Sequence, residues 1–132
     1  MRDANASKET SVKYLCHVYL SPEHWNSAPD EACFACGNEM RASGHFIDGT
    51  PLHPVHTATT VRVRNGRTTV TDGPFAETKE QLAGFYLIEA RDLNEAIQLA
   101  SKIPPAQYGS IEVRPTRELQ VDTEKLARAA GP

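Results

Sequence analysis

Long apolar runs, an excess of basic residues and a dense set of cysteines are what this chain of 132 residues lacks. Its longest hydrophobic stretches have the length of strands, far short of the roughly 20 residues that cross a bilayer as a helix. The first ten residues, Met1 to Thr10, are polar and hold no apolar signal-peptide core. With 14 lysines and arginines against 17 aspartates and glutamates the net charge is −3. A broad electrostatic footprint on nucleic acid is therefore not expected. Three cysteines are too few for the disulfide framework of a small secreted domain. No phosphate-cradling glycine loop, serine elbow or nucleotide fingerprint occurs, and no cofactor is expected. These absences describe a cytoplasmic chain with no membrane partner and no direct nucleic-acid partner.

What is there suffices for one ordinary core. The chain is 39% hydrophobic and 23% charged, and a chain of this size buries roughly two-thirds of its extended surface on folding. Residues 1–11 are expected to form a flexible tail. Val12–Leu20 is β-branched and aromatic and predicts a strand, with Tyr14, Cys16, Val18 and Leu20 on the core face. Ser27, Pro29 and Asp30 predict a capped start for a helix over about 28–43, whose stripe is Cys33, Cys36, Gly37 and Met40. Gly44 suits its end. A short strand is expected near His45–Asp48. Asn65-Gly66 between two alternating runs predicts a two-residue hairpin that pairs Arg64 with Arg67 and Val61 with Val70. Its valines are expected on the core face. Residues 76–82 have the pattern of a helical turn, and Gly84–Ala90 that of a strand. Asp92 to Glu95 forms a capping box ahead of a helix with Leu93, Ala96, Ile97, Ala100 and Ile103 on one face, stopped by Pro104 and Pro105. A strand over 109–114 and a short helix over 122–130 complete the chain.

The order β-α-β-β-β-α-β, with two amphipathic helices and short strands, predicts an α+β fold of ferredoxin-like kind, an antiparallel sheet with both helices on one face. The other face would carry His17 and Tyr19, Thr60 and Arg62, and Ser110, Glu112 and Arg114. A face so polar is either solvated or lines a cavity.

The stretch Asp72-Gly-Pro-Phe-Ala-Glu-Thr-Lys79, followed by Gly84-Phe-Tyr-Leu-Ile-Glu89, resembles the DGPF branch of the YCII-related proteins. Thr57–Gly66 before it and Tyr108–Pro115 after it agree, so the resemblance covers about residues 12–116 and leaves 117–132 as a C-terminal extension. It implies a dimeric α+β barrel, a homodimer whose sheets pack across a partly polar cavity. Some YCII-related proteins are thought to use a His-Asp pair, the His on the first helix and the Asp in a turn after the second. Here the first helix has no His and Pro104-Pro-Ala106 replaces that turn, so neither role carries over.

Within the signature, Asp72 has two readings. Its carboxylate can close its own loop as an Asx-turn, or Asp72 or Glu77 can point into the cavity as a general base. Phe75 is expected to anchor the loop on the core. His17 projects from the mixed face of the first strand, where a His-acid pair with Asp72 is conceivable. His53 and His56, three apart in a loop, lack the further ligands of a metal site, and no metal is expected. Cys33 and Cys36 fall on the apolar stripe of the first helix, which explains them by packing.

Two functions compete. The first is a small-molecule binding protein or cofactor-free acid-base enzyme, with a cavity walled by His17, Tyr19, Arg62, Asp72, Glu77, Tyr86, Glu112 and Arg114. There the arginines would hold an anionic ligand or else pair with Glu112. The second is a non-catalytic interaction module accessory to an extracytoplasmic-function sigma factor, as the resemblance implies.

Overall fold

The computed structural model describes residues 11–130. Except for Ser11, the expected tail lies outside them. Strands β1 (Val12–Leu20), β2 (Phe46–Pro51), β3 (Thr59–Arg64), β4 (Arg67–Asp72), β5 (Gln81–Ala90) and β6 (Ser110–Pro115) alternate with helices α1 (Asp30–Ala42) and α2 (Leu93–Ala100), and α3 (Thr123–Ala130) closes the chain. Four strands form an antiparallel sheet in the order β2-β5-β1-β6. With α1 and α2 as crossovers this is a βαββαβ arrangement, the α+β ferredoxin-like order that the alternation of elements predicts.

The core lies on one face. Tyr14, Cys16, Val18, Ile88 and Ala90 from the sheet join Cys36 and Met40 of α1, Ala96, Leu99 and Ala100 of α2, and Ile103 just beyond α2 in a single buried cluster. Both helices therefore cover the same side. α1 ends in the glycine cap that its sequence predicts: Gly44, at φ +83°, donates to Arg41 O, and His45 N donates to Met40 O at 2.7 Å. The pair satisfies two carbonyls of the last turn. At the start of α2 the Asp92 carboxylate accepts from Glu95 N at 2.9 Å, and Glu95 Oε1 accepts from Arg91 N.

Four local expectations are corrected. Pro29, not Ser27, precedes α1 and no side chain caps it; the Ser27 hydroxyl lies 3.2 Å from His24 Nδ1 instead. Residues 76–80 form no helical turn. Leu93 and Ile97 are exposed while Leu99 is buried, because α2 is rolled so that its small residues, Ala96 and Ala100, meet the sheet closely. The largest departure is the hairpin. β3 and β4 pair in the predicted register around Asn65 and Gly66, both at positive φ, as a type I′ turn requires. They nevertheless form a separate two-stranded sheet. Val61, Val63 and Val70 are exposed rather than in the core. The turn determines which residues pair, but not what the ribbon lies against.

Candidate functional site

Two surfaces of this fold gather the candidate residues: the sheet face turned away from the helices, and a cleft beside α1. On the sheet face the β1–β6 ladder sets Leu15 opposite Arg114, His17 opposite Glu112 and Tyr19 opposite Ser110. The β1–β5 ladder adds Leu87 opposite Leu15 and Phe85 opposite His17. Directly opposed residues share a face, so His17, Tyr19, Glu112 and Arg114 come together as their alternation predicts. They surround an apolar strip of Leu15, Phe85 and Leu87, each half-buried.

His17 sits in the middle of this face. Its Nδ1 lies 3.5 Å from Glu112 Oε1, is enclosed, and makes no hydrogen bond among the described residues. Leaving a buried polar atom unpaired costs about 1–3 kcal/mol. Nε2 is not enclosed in this way. Ser110 Oγ donates to Glu80 Oε1 at 2.6 Å and ties the loop ahead of β5 to the same end of the sheet.

The other expected wall residues stand elsewhere. Tyr86 is opposite Cys16, on the helix side, where its hydroxyl donates to Cys33 O at 3.1 Å. Arg62 and Asp72 are on the separate hairpin and on opposite faces of it, since Arg62 pairs with Thr69 and Asp72 with Thr59. Asp72 forms no Asx-turn. Its loop is closed instead by Gly73 N donating to Ala58 O at 2.7 Å and Thr60 Oγ1 donating to Gly73 O. Glu77 is exposed. Phe75 is 81% exposed and does not anchor its loop on the core among the described residues.

The cleft was not foreseen. It has a volume of about 690 Å³ and runs between α1 and the β2–β5 edge. Trp25, Phe34, Phe46, Tyr86 and Leu52 give it an apolar wall, and Asp30 and Arg41 stand at its rim. Arg41 lies over the Phe46 ring at 4.5 Å, and Phe46 meets Tyr86 edge-on at 6.1 Å. The one sequence signal for it was the set of aromatics on either side of α1, scattered over residues 25–86 without a period.

Burial favours the neutral forms of the Cys33 thiol and the Tyr86 phenol beside the cleft. Desolvation raises the Cys33 and Tyr86 groups above their ordinary values, partly offset at Cys33 by its hydrogen bond with Tyr86. Cys36 is raised in the same way, and Cys16, fully buried, is pushed up to about 11 by desolvation. These thiols are poor nucleophiles near neutral pH. A raised acid also destabilises the fold on the alkaline side: the unfolded thiol ionises first, near 9, and stability falls from there until pH passes about 11. Cys16 alone is expected to contribute a loss of about 2–3 kcal/mol over that window. Urea unfolding of the wild type and Cys16→Ala at pH 8 and 11 checks it. The variant should be less stable at pH 8 but show a shallower alkaline loss; equal losses would contradict the assignment.

Among the described residues no three His, Cys, Asp or Glu side chains gather as metal ligands, and none of the described helices is long and apolar enough to cross a membrane.

A helix-covered four-stranded sheet with an open, polar-rimmed face defines an α+β domain of a known class. Residues 12–120 match the YCII-related domain, and the chain belongs to that family. It is also similar to an uncharacterized protein of Rhizobium meliloti (strain 1021), 53% identical over 66 residues, which cover 48% of this chain and 53% of that protein. The chain thus spans about half the length of the curated relative it matches.

Proposed function

We propose that this protein is a homodimer that binds a small anionic molecule on the open sheet face, where His17 performs cofactor-free proton transfer. The observation that carries the reading is His17 itself, an imidazole with one nitrogen enclosed beside Glu112 and unpaired, set in an apolar strip. Such a strip is the kind of sheet surface that a second sheet covers. Covering it would desolvate the His17–Glu112 pair and strengthen its electrostatics. Arg114 supplies a fork for a carboxylate, and Leu15, Phe85 and Leu87 supply contact for an apolar body. The preferred ligand is therefore a carboxylate on a small hydrophobic or aromatic frame. Asp72, Glu77 and Arg62 join this cavity only if the partner subunit's hairpin brings them there.

The test uses benzoate and inorganic phosphate as probes, followed through the His17 imidazole resonances. Benzoate is expected to shift them and to bind at least about ten-fold more tightly than phosphate, with Arg114→Gln weakening benzoate by about ten-fold. His17→Gln, with benzoate binding followed by titration calorimetry, should retain binding and lose the proton exchange. Resonances unmoved by millimolar benzoate would overturn the reading. That result, with a monomer in solution, would favour the alternative of a protein-interaction module serving a sigma factor.

The cleft supports a second binding reading through its preformed volume, which lies within the range of ordinary ligand pockets. Its aromatic wall, with Asp30 and Arg41 at the rim, suits a planar molecule with a polar edge. Quenching of Trp25, the sole tryptophan, would report such binding independently of His17.

A further inference from the structure

The cleft beside α1 is charged at both ends and aromatic between them. Asp30, Cys33, Phe34, Gly37, Asn38 and Arg41 line it, and their spacing by threes and fours puts them on one face of the helix. The cleft therefore follows the helix axis, with an acid in the first turn and a base in the last. Neither charge is neutralised by a partner. The Asp30 side chain makes no hydrogen bond or ion pair among the described residues. The Arg41 guanidinium is held by two neutral neighbours, donating to Asn38 Oδ1 at 2.9 Å and lying over the Phe46 ring. No carboxylate of the described residues pairs with it, whereas Arg91 is paired with Glu95 at 3.1 Å. A guanidinium has five N–H donors, so a pinned cation with spare donors faces the cleft. Both charges also suit the dipole of α1, but the dipole calls for neither the aromatic floor nor the pinning.

We propose that the cleft takes an amphoteric aromatic molecule, a ring with a carboxylate at one end on Arg41 and an amine at the other on Asp30. The inference rests on the second binding reading above and adds the charge pattern of the ligand. Height along the helix sets the spacing. A methyl group on Gly37 would sit 3.5 Å from Phe46 Cε2, so the Phe46 ring stands beside Gly37. The guanidinium, 4.5 Å from the centroid of that ring, has thus reached back about one turn from its own Cα. Asp30 lies two turns further back, about 10 Å along the axis. Between the charges come Phe46 and Tyr86, edge-on to each other, with the Tyr86 hydroxyl reaching Cys33 O about midway to Asp30. The floor is aromatic and the ends are ionic. A contact of about 3 Å at each end leaves roughly the length of one ring between the ligand's own charges. An α-amino acid, with both charges on one carbon, cannot reach both ends. At about 690 Å³ the cleft has room for a substituted ring.

The test compares 4-(aminomethyl)benzoate with benzoate, benzylamine, phenylalanine and the uncharged benzyl alcohol. Binding is followed by the fluorescence of Trp25, the sole tryptophan and part of the cleft wall, and by titration calorimetry. The amphoteric probe is expected to bind at least about ten-fold more tightly than any of the others. Asp30 and Arg41 are exposed, so Asp30→Asn and Arg41→Gln should keep the fold by circular dichroism. Arg41→Gln should weaken the amphoteric probe and benzoate by about ten-fold and leave benzylamine unchanged. Asp30→Asn should weaken the amphoteric probe and benzylamine and leave benzoate unchanged. His17→Gln should alter none of the Trp25 titrations, which separates the cleft from the sheet face. An amphoteric probe that binds no better than the singly charged ones, or a phenylalanine that matches it, would overturn the charge pattern and spare the cleft as a binding site. Trp25 fluorescence and heats unmoved by every probe at millimolar concentration would overturn both. The five probes make the comparison on the wild type alone, so the result stands should a variant fail to fold.

Discussion

Replacing Ile88 by alanine is expected to cost about 2–5 kcal/mol of folding free energy, a large share of the total for a domain of this size. Ile88 is fully buried on the central strand β5, opposite Tyr14 of β1 and Phe46 of β2, with both helices in the same cluster. Neighbours held by two ladders and two helices cannot collapse into the space, so the cavity adds to the lost transfer energy. The midpoint of thermal unfolding should fall by roughly 10–20 °C. Ile97→Ala is the internal control. Its side chain is 50% exposed on α2 and should cost no more than about 1 kcal/mol. Urea unfolding of the two variants side by side checks the core assignment, which equal losses would contradict.

Gly109→Ala is expected to be about as damaging for a different reason. A methyl group there would overlap the carbonyl oxygen of Tyr19 and press on Leu20 Cδ2 at 3.0 Å. The obstacle is backbone, and Tyr19 is held in the β1–β6 ladder opposite Ser110, so relief requires β6 to move. We expect a loss of about 3 kcal/mol or more. The same shift would disturb the His17–Glu112 pair two residues further along the ladder, so the His17 resonances should move in any folded fraction. Gly44→Ala makes the comparison. Nothing lies within 4 Å of that position, and only its φ of +83° opposes a side chain, a penalty of about 1 kcal/mol. A Gly109 variant as stable as the Gly44 variant would show that β6 does not approach β1 this closely.

Much of the candidate site was legible for the reason that strands are legible: alternation assigns faces. His17 and Tyr19 of β1, and Glu112 and Arg114 of β6, could be placed on one surface because period two allows no other choice once Cys16 and Val18 are inward. Tyr86 escaped the same logic. Its strand reads as nearly continuous apolar sequence, Gly84 to Ala90, and which half faces the helices is settled only by the register against β1, which a bulge near Ala83 shifts at Tyr19. Arg62 and Asp72 were placed in the cavity because their hairpin was expected to extend the sheet, and on opposite faces of a ribbon they cannot line one wall together.

The sequence by itself determined the elements and the local chemistry that ends them: the Asn65-Gly66 turn, the Asp92 cap, the Gly44 terminus and the split of β1 into a core face and a polar face. Each of these depends on dihedrals and hydrogen bonds within a few residues. It also carried the family, through Asp72–Lys79 and Gly84–Glu89. The tertiary structure alone decided that β3 and β4 stand apart from the main sheet, that α2 rolls Ile97 outward, that His17 Nδ1 is enclosed beside Glu112 without a bond, and that a cleft opens beside α1. Those outcomes depend on which surfaces meet. Burial is a property of pairs of distant segments, and no periodicity along one segment records what lies against it.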